Sequence, residues 1–132
     1  MDLTELLAMM PFAVASGVTL RSAEPTEVVG ALGWDPQRCT AGGVLHGGAL
    51  MTLADSVGAV CAFLNLPAGA GTTTLTSSTS LLRAVRAGLV VARARPLSAG
   101  RTVIVVQTDL RDETERLVAQ TTQTQAVLPA RG

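Results

Sequence analysis

The run from Gly42 to Asp55, GGVLHGGALMTLAD, holds the residue types that could do chemistry. Gly42, Gly43, Gly47 and Gly48 surround His46, and glycines where a loop enters a helix leave backbone N–H groups accessible at the positive end of the helix dipole. Donors so placed, at Gly47 and Gly48, form an oxyanion-hole geometry. Nine positions after His46 stands Asp55, on an otherwise apolar stretch. A carboxylate there is costly unless it has partners or work to do, which makes it the candidate catalytic base. If the segment is helical throughout, His46 and Asp55 are separated by roughly 13 Å of rise and half a turn, too far to act on one bond. A two-fold partner could bring its own Asp55 to the first chain's Gly47, so the spacing predicts a homodimer.

Plainer roles compete for the same residues. His46 could cap a helix or bond a carbonyl, and Asp55 could join Thr52 and Ser56 in a polar stripe that satisfies a buried helix contact. The four glycines could serve turns alone, and no GxGxxG or Walker pattern favours nucleotide phosphates. Neither Cys39 nor Cys61 has a histidine beside it in sequence, and Cys61 sits in the apolar run, so both fit as buried filler rather than nucleophiles.

The elements that must position these groups follow from periodicity. Leu3, Leu6, Leu7 and Met10 recur at helical spacing and predict a short amphipathic helix stopped by Pro11. Two extended stretches, 17–21 and 26–34, precede the glycine-rich loop. From Gly48 to Leu64 the chain is apolar on nearly all sides, which predicts a helix enclosed by other structure. Four strands follow over 72–83, 89–97, 101–110 and 116–128, joined by short turns as an antiparallel meander. One sheet wrapped around one helix, an α+β fold, satisfies this order.

Composition bounds the rest. The 132 residues suit a single domain spanning 1–132. Apolar residues make up 48 % and charged residues 15 %, which excludes disorder and predicts burial against a second copy. Ten arginines balance ten acidic residues and there is no lysine, so Schiff-base chemistry and a nucleic-acid-binding charge surplus are both excluded. Two cysteines and one histidine cannot build a protein-only zinc site, so no metal is expected. The apolar stretch 49–64 is interrupted by Thr52, Asp55 and Ser56 and is not expected to anchor in a membrane. With no basic leader before Arg21 and two isolated cysteines, the expected address is the cytoplasm.

The His46-Gly47-Gly48 turn, Leu53-Ala54-Asp55, Gly58 and a strand series with Leu117-Val118-Ala119 together resemble the hotdog-fold acyl-CoA thioesterases of the phenylacetate-pathway type, over nearly the whole chain. The resemblance implies hydrolysis of an acyl-CoA or aroyl-CoA thioester to free acid and CoA, with no cofactor, in a homodimer that pairs further into a tetramer. It implies that Asp55 attacks the carbonyl or activates water, that the Gly47 N–H polarises the carbonyl oxygen, that His46 positions the thioester, and that Gly48 and Thr74 lie against the substrate. Such relatives often carry Asn or Gln where this chain has Thr40, whose hydroxyl is shorter and has fewer hydrogen-bonding groups than an amide. A non-catalytic acyl-CoA-binding module is the rival reading that Thr40 leaves open. A hotdog hydratase, with an Asp five positions before its histidine, is opposed by Ala41. With no lysine, CoA phosphates fall to arginine; Arg83 and Arg86 flank the turn after the first late strand and are the candidates, ahead of Arg38, Arg93 and Arg101.

Overall fold

The computed structural model describes residues 1–130; the last two positions of the expected 1–132 unit, Arg131 and Gly132, lie outside the described residues. Asp2 opens α1 (Leu3–Ala8) with a capping box, accepting from the Glu5 N–H while Glu5 accepts from the Asp2 N–H. Pro11 stops this helix as expected, and also starts another. It occupies the first turn of α2 (Pro11–Ser16), where its missing N–H would have had no partner. Gly17, at φ +93°, closes α2, and the Arg38 guanidinium fills the space that a Cβ would need.

Then come β1 (Thr19–Glu24), β2 (Glu27–Gly33), two single 3-10 turns at Pro36–Arg38 and Ala41–Gly43, and α3 (Gly47–Leu64). Four long strands complete the chain: β3 (Gly71–Leu81), β4 (Leu89–Ala99), β5 (Val103–Arg111) and β6 (Leu117–Leu128). All six strands form one antiparallel sheet in the order β1-β2-β4-β5-β6-β3, and α3 packs on every one of them. This is the sheet-around-helix arrangement of the hotdog fold.

The expected meander is corrected at one strand. β4, β5 and β6 are consecutive neighbours, but β3 pairs with β6, from Gly71 opposite Leu128 to Leu81 opposite Ala119. The physical reason lies in the 82–88 connection. It is not a hairpin turn but a seven-residue span that leaves one edge of the sheet, bonds Leu82 N and Arg83 N to Val118 O, and delivers β4 beside β2. β3 therefore forms one edge of the sheet, and only Thr72 and Thr79 along it are even partly buried.

The core sits between α3 and the concave face of the sheet. Leu53, Ala54, Val57 and Cys61 of α3 meet Val90, Ala92 and Ala94 of β4 and Ile104, Val106 and Leu110 of β5, all without exposure. Small side chains at 92 and 94 let the helix approach the strands closely. Within the protomer the expected enclosure of α3 is met by the sheet except on one face, where Met51 and Asp55 are exposed. One sheet covers one side of a helix, and the face carrying these two residues has no cover within the protomer. α3 has the length and the mean hydropathy, 1.6, to cross a membrane, yet half of it is buried against the sheet as the core helix.

Leu53→Ala is expected to cost about 2–5 kcal/mol, the range for emptying a tightly packed leucine site. Urea unfolding should show a lower midpoint with an unchanged slope; a midpoint equal to that of the wild type would contradict the packing described.

Candidate active site

The loop that delivers His46 is pinned at both ends. Trp34 donates its backbone N–H to Gly88 O at 2.7 Å and its indole Nε1–H to Gly43 O at 3.0 Å. Thr40 N bonds Val44 O at 2.8 Å, Leu45 N bonds Val85 O at 2.9 Å, and His46 N bonds Arg38 O at 2.9 Å. Gly42 and Gly43 take φ values of +82° and +72°, left-handed backbone that lets the loop reverse just before the helix.

The start of α3 can be accounted for donor by donor. A helix leaves its first four N–H groups without intrahelical partners. Ala49 N and Leu50 N reach His46 O at 2.9 and 3.3 Å, and Gly48 N donates to His46 Nδ1 at 2.8 Å. No acceptor among the described residues takes the Gly47 N–H. The expected pair of free donors is thus corrected to one: Gly48 is spent on the cap, and Gly47 remains. The plainer role weighed for His46, helix capping, is real, and it also fixes the ring. An acceptor Nδ1 in a neutral imidazole leaves the proton on Nε2, so the exposed edge of His46 is a donor.

Of the two glycines, Gly48 is the one sterically required. A Cβ there would lie 2.9 Å from His46 Nδ1 and displace the capping ring, while one at Gly47 would lie 2.7 Å from Leu81 Cδ1, only the tip of an exposed side chain that can turn away. The residues therefore group as follows. His46, Gly48 and Thr52 line a cavity of about 550 Å³ with Phe12 and Arg38. Thr40 and Gly47 line a neighbouring opening of about 330 Å³ with Leu81 and Arg83. Arg38 has its Nη1 on Gly33 O at 3.0 Å and so serves the loop rather than a free anion. Arg86 faces a third depression beside Asp112 and Glu113, with Nη1 3.4 Å from Gly42 O. Arg83 and Arg86 are both exposed, but they do not share one cavity.

Asp55 stands apart from these groups within one chain, eight residues and roughly 12 Å of helix rise beyond Gly47. The polar stripe with Thr52 and Ser56 is not formed: Thr52 Oγ1 bonds Gly48 O at 2.8 Å and Ser56 Oγ bonds Thr52 O at 2.6 Å, each turned onto its own helix. Asp55 Oδ1 instead accepts from Gln123 Nε2 of β6 at 3.4 Å. Sequence reasoning missed Gln123. Its signal was parity: Thr121, Gln123 and Gln125 alternate with the same period as Ala119 and Val127, so three polar side chains share the inward face of β6 with apolar ones. Thr74, on the edge strand, accepts from Gln125 Nε2 at 2.8 Å and lies seven residues of strand from Leu81, roughly 23 Å from the Gly47 end of the same chain. Cys61 is buried, and burial pushes its thiol up to about 11, so it is no nucleophile at neutral pH.

Known proteins resemble this chain in sequence and in fold. The chain is 38% identical over 86 residues to a Haemophilus influenzae protein called "Putative esterase", a stretch covering 65% of this chain and 62% of that one. A second such protein, from Vibrio cholerae, matches at 38% identity over 59% of its length, so the chain spans about three fifths of these curated relatives. Among solved structures, a thioesterase from Haemophilus influenzae superposes with a TM-score of 0.93 at 28% identity, over 100% of this chain and 94% of that one. A phenylacetic acid degradation-related protein from Ralstonia eutropha JMP134 superposes with a TM-score of 0.81 at 28% identity, over 89% of each chain. The sequence pattern described as thioesterase superfamily matches residues 42–119, from the glycine loop through α3 into β6, and with more than half of its length so matched the chain belongs to that superfamily.

Proposed function

We propose that this chain hydrolyses an acyl-CoA or aroyl-CoA thioester to a free acid and CoA, as a homodimer whose two sites each join residues of both protomers. The observation that carries the reading is the Gly47 N–H, left as the one unpaired donor at the start of α3 and set beside an open cavity. A thioester oxygen gains negative charge as its carbonyl carbon becomes tetrahedral, and a fixed donor at a helix N-terminus stabilises that charge.

The reaction also needs a base or nucleophile, and Asp55 is the carboxylate on the uncovered face of α3. A two-fold partner laid over that face and the β3 edge brings its own Asp55 toward the first protomer's Gly47. The carboxylate then takes a proton from water as the water oxygen attacks the carbonyl carbon, or attacks that carbon itself. On the water route, collapse of the tetrahedral species breaks the C–S bond and the departing CoA sulfur takes up that proton. On direct attack, collapse expels CoA as a thiolate and leaves a mixed anhydride with Asp55, which water opens to the free acid and the carboxylate while the thiolate takes up the proton that water releases. His46 Nε2–H orients the thioester, Gly48 keeps that ring in place, and Thr40, which lines the same opening as Gly47, holds water. Thr74 lies on the edge strand that the partner would cover.

No metal or organic cofactor enters this chemistry. With two Phe, one Trp and no Tyr in the chain, the acyl pocket is lined by aliphatic side chains and Met, which suits fatty and aromatic acyl groups alike. Arg83, beside Thr40 and Gly47, and Arg86 supply paired donors for CoA phosphates. The dimer pairs further into a tetramer, and the address is the cytoplasm. Thr40, in place of an amide, favours one other reading, a module that binds acyl-CoA without turnover; the rate measurement below separates the two.

Asp55→Asn is expected to lower kcat on an acyl-CoA panel, followed by release of the CoA thiol, by roughly 10²- to 10⁴-fold. A wild-type rate in that variant would remove the assignment, and bound but unhydrolysed acyl-CoA in the wild type would establish the binding module.

Shared sites have their own test. Gly47→Pro deletes the unpaired N–H at a position where proline is tolerated, and His46, at φ −60° and ψ 136°, already has the backbone that a residue before proline prefers. Alone it is expected to lose about 10²- to 10³-fold in kcat. Verified heterodimers of Gly47→Pro with Asp55→Asn chains should recover about half of the wild-type rate, because one of two sites is whole; no recovery would place both groups in one protomer.

A further inference from the structure

We propose that Gln123 is the positioning residue for Asp55: its buried side-chain amide, seated over Gly58, donates to one carboxylate oxygen and leaves the other aimed at the reacting groups. The inference rests on the thioesterase reading above and adds a residue that the reading does not require. Gln123 is fully buried, and a buried amide is costly unless its groups are bonded. Its Nε2 meets Asp55 Oδ1 at 3.4 Å, while its Oε1 has no partner among the described residues.

The neighbouring inward residues on β6 behave differently. Gln125 is held at both ends, taking a bond from Thr72 Oγ1 at 3.1 Å and giving one to Thr74 Oγ1 at 2.8 Å, and Thr121 shares a bond of 2.8 Å with Thr79. Those three tie β6 to β3. Gln123 stands opposite Ser77 of β3 in register, yet its amide turns to the helix instead. The helix is cut away to receive it: a Cβ at Gly58 would overlap Gln123 Oε1. Asp55 and Gly58 are three residues apart and share one helix face, so the glycine, the amide and the carboxylate form one contiguous group. A residue present only to fill this space would be Leu or Met, with no oxygen left unbonded. The amide orientation is fixed by charge, since the flipped form would set Oε1 against the Asp55 carboxylate.

Asp55 is in none of the ion pairs among the described residues, so no cation restrains it there, and its side-chain partner among them is Gln123. At 3.4 Å the bond is long, as hydrogen bonds at reacting groups commonly are before substrate closes the site. One oriented donor on Oδ1 stops the carboxylate from rotating and leaves Oδ2 for water or the carbonyl carbon.

The experiment compares Gln123→Met, which keeps length without a donor, in two backgrounds, with hexanoyl-CoA and benzoyl-CoA as probes. In the wild-type background kcat should fall about 10- to 100-fold, the loss that misplacing a reacting group brings, with KM within twofold and the melting temperature held. In the Asp55→Asn background the residual rate should change less than twofold, because no carboxylate remains to be positioned. Gly58→Ala, which crowds the amide without removing it, should reproduce the kcat loss, and Gln123→Leu serves if Gln123→Met does not fold. A wild-type kcat in Gln123→Met, or an equal loss in both backgrounds, overturns the inference while leaving Asp55 in place. A wild-type rate in Asp55→Asn itself removes the thioesterase reading, and this inference with it.

Discussion

An 18-residue helix that is apolar on most of its surface has to be covered, and one sheet can reach only one side of it. Much of the architecture follows from that mismatch. The six strands curl around α3, the order of the sheet sends β3 to the far edge beside β6, and small residues on β4 let the helix sink into the concave face. What is left over is a strip of helix bearing Met51 and Asp55, next to a strand with little cover on either face. In an isolated protomer that strip is a surface; on the proposed reading it is half of a site.

The beginning of the same helix meets a second constraint, the satisfaction of its N–H groups. Three are supplied by the backbone and ring of one histidine, which requires a glycine immediately after the turn so that the imidazole can fold back. The preceding glycine gives way to Leu81 and keeps its own N–H open. Local hydrogen-bond satisfaction and the shape of the candidate site are therefore one arrangement at His46 and Gly48, where the ring that caps the helix also lines the cavity.

Much of this was legible from residue order alone. The core helix, the late strands and the glycine turn are local signals, set by periods of 3.6 and 2 and by backbone freedom. Strand order was not, because whether β3 pairs with β4 or β6 depends on a connection whose path is decided by tertiary packing. The exposure of Asp55 was hidden for a related reason: hydropathy along α3 shows which faces are apolar, not which of them the same chain covers. Gln123 was passed over because a polar residue in a strand ordinarily faces water, and only the parity it shares with Ala119 and Val127 places it inside.

β3 carries no charge and no proline from Gly71 to Leu81, and its partner β6 lies some forty to sixty positions further along the chain. During synthesis the edge strand leaves the ribosome well before the strand that will hold it, as an uncharged β-forming ribbon with both sides open. Such ribbons are templates for unwanted association, and this one lacks the lysines and prolines that usually blunt an edge. The C-terminal strand thus acts as the latch of folding: until it arrives, neither the ribbon nor the amide beneath Asp55 has its place, and a chain cut short before β6 would leave open both edges of a strand that β6 otherwise holds along one side.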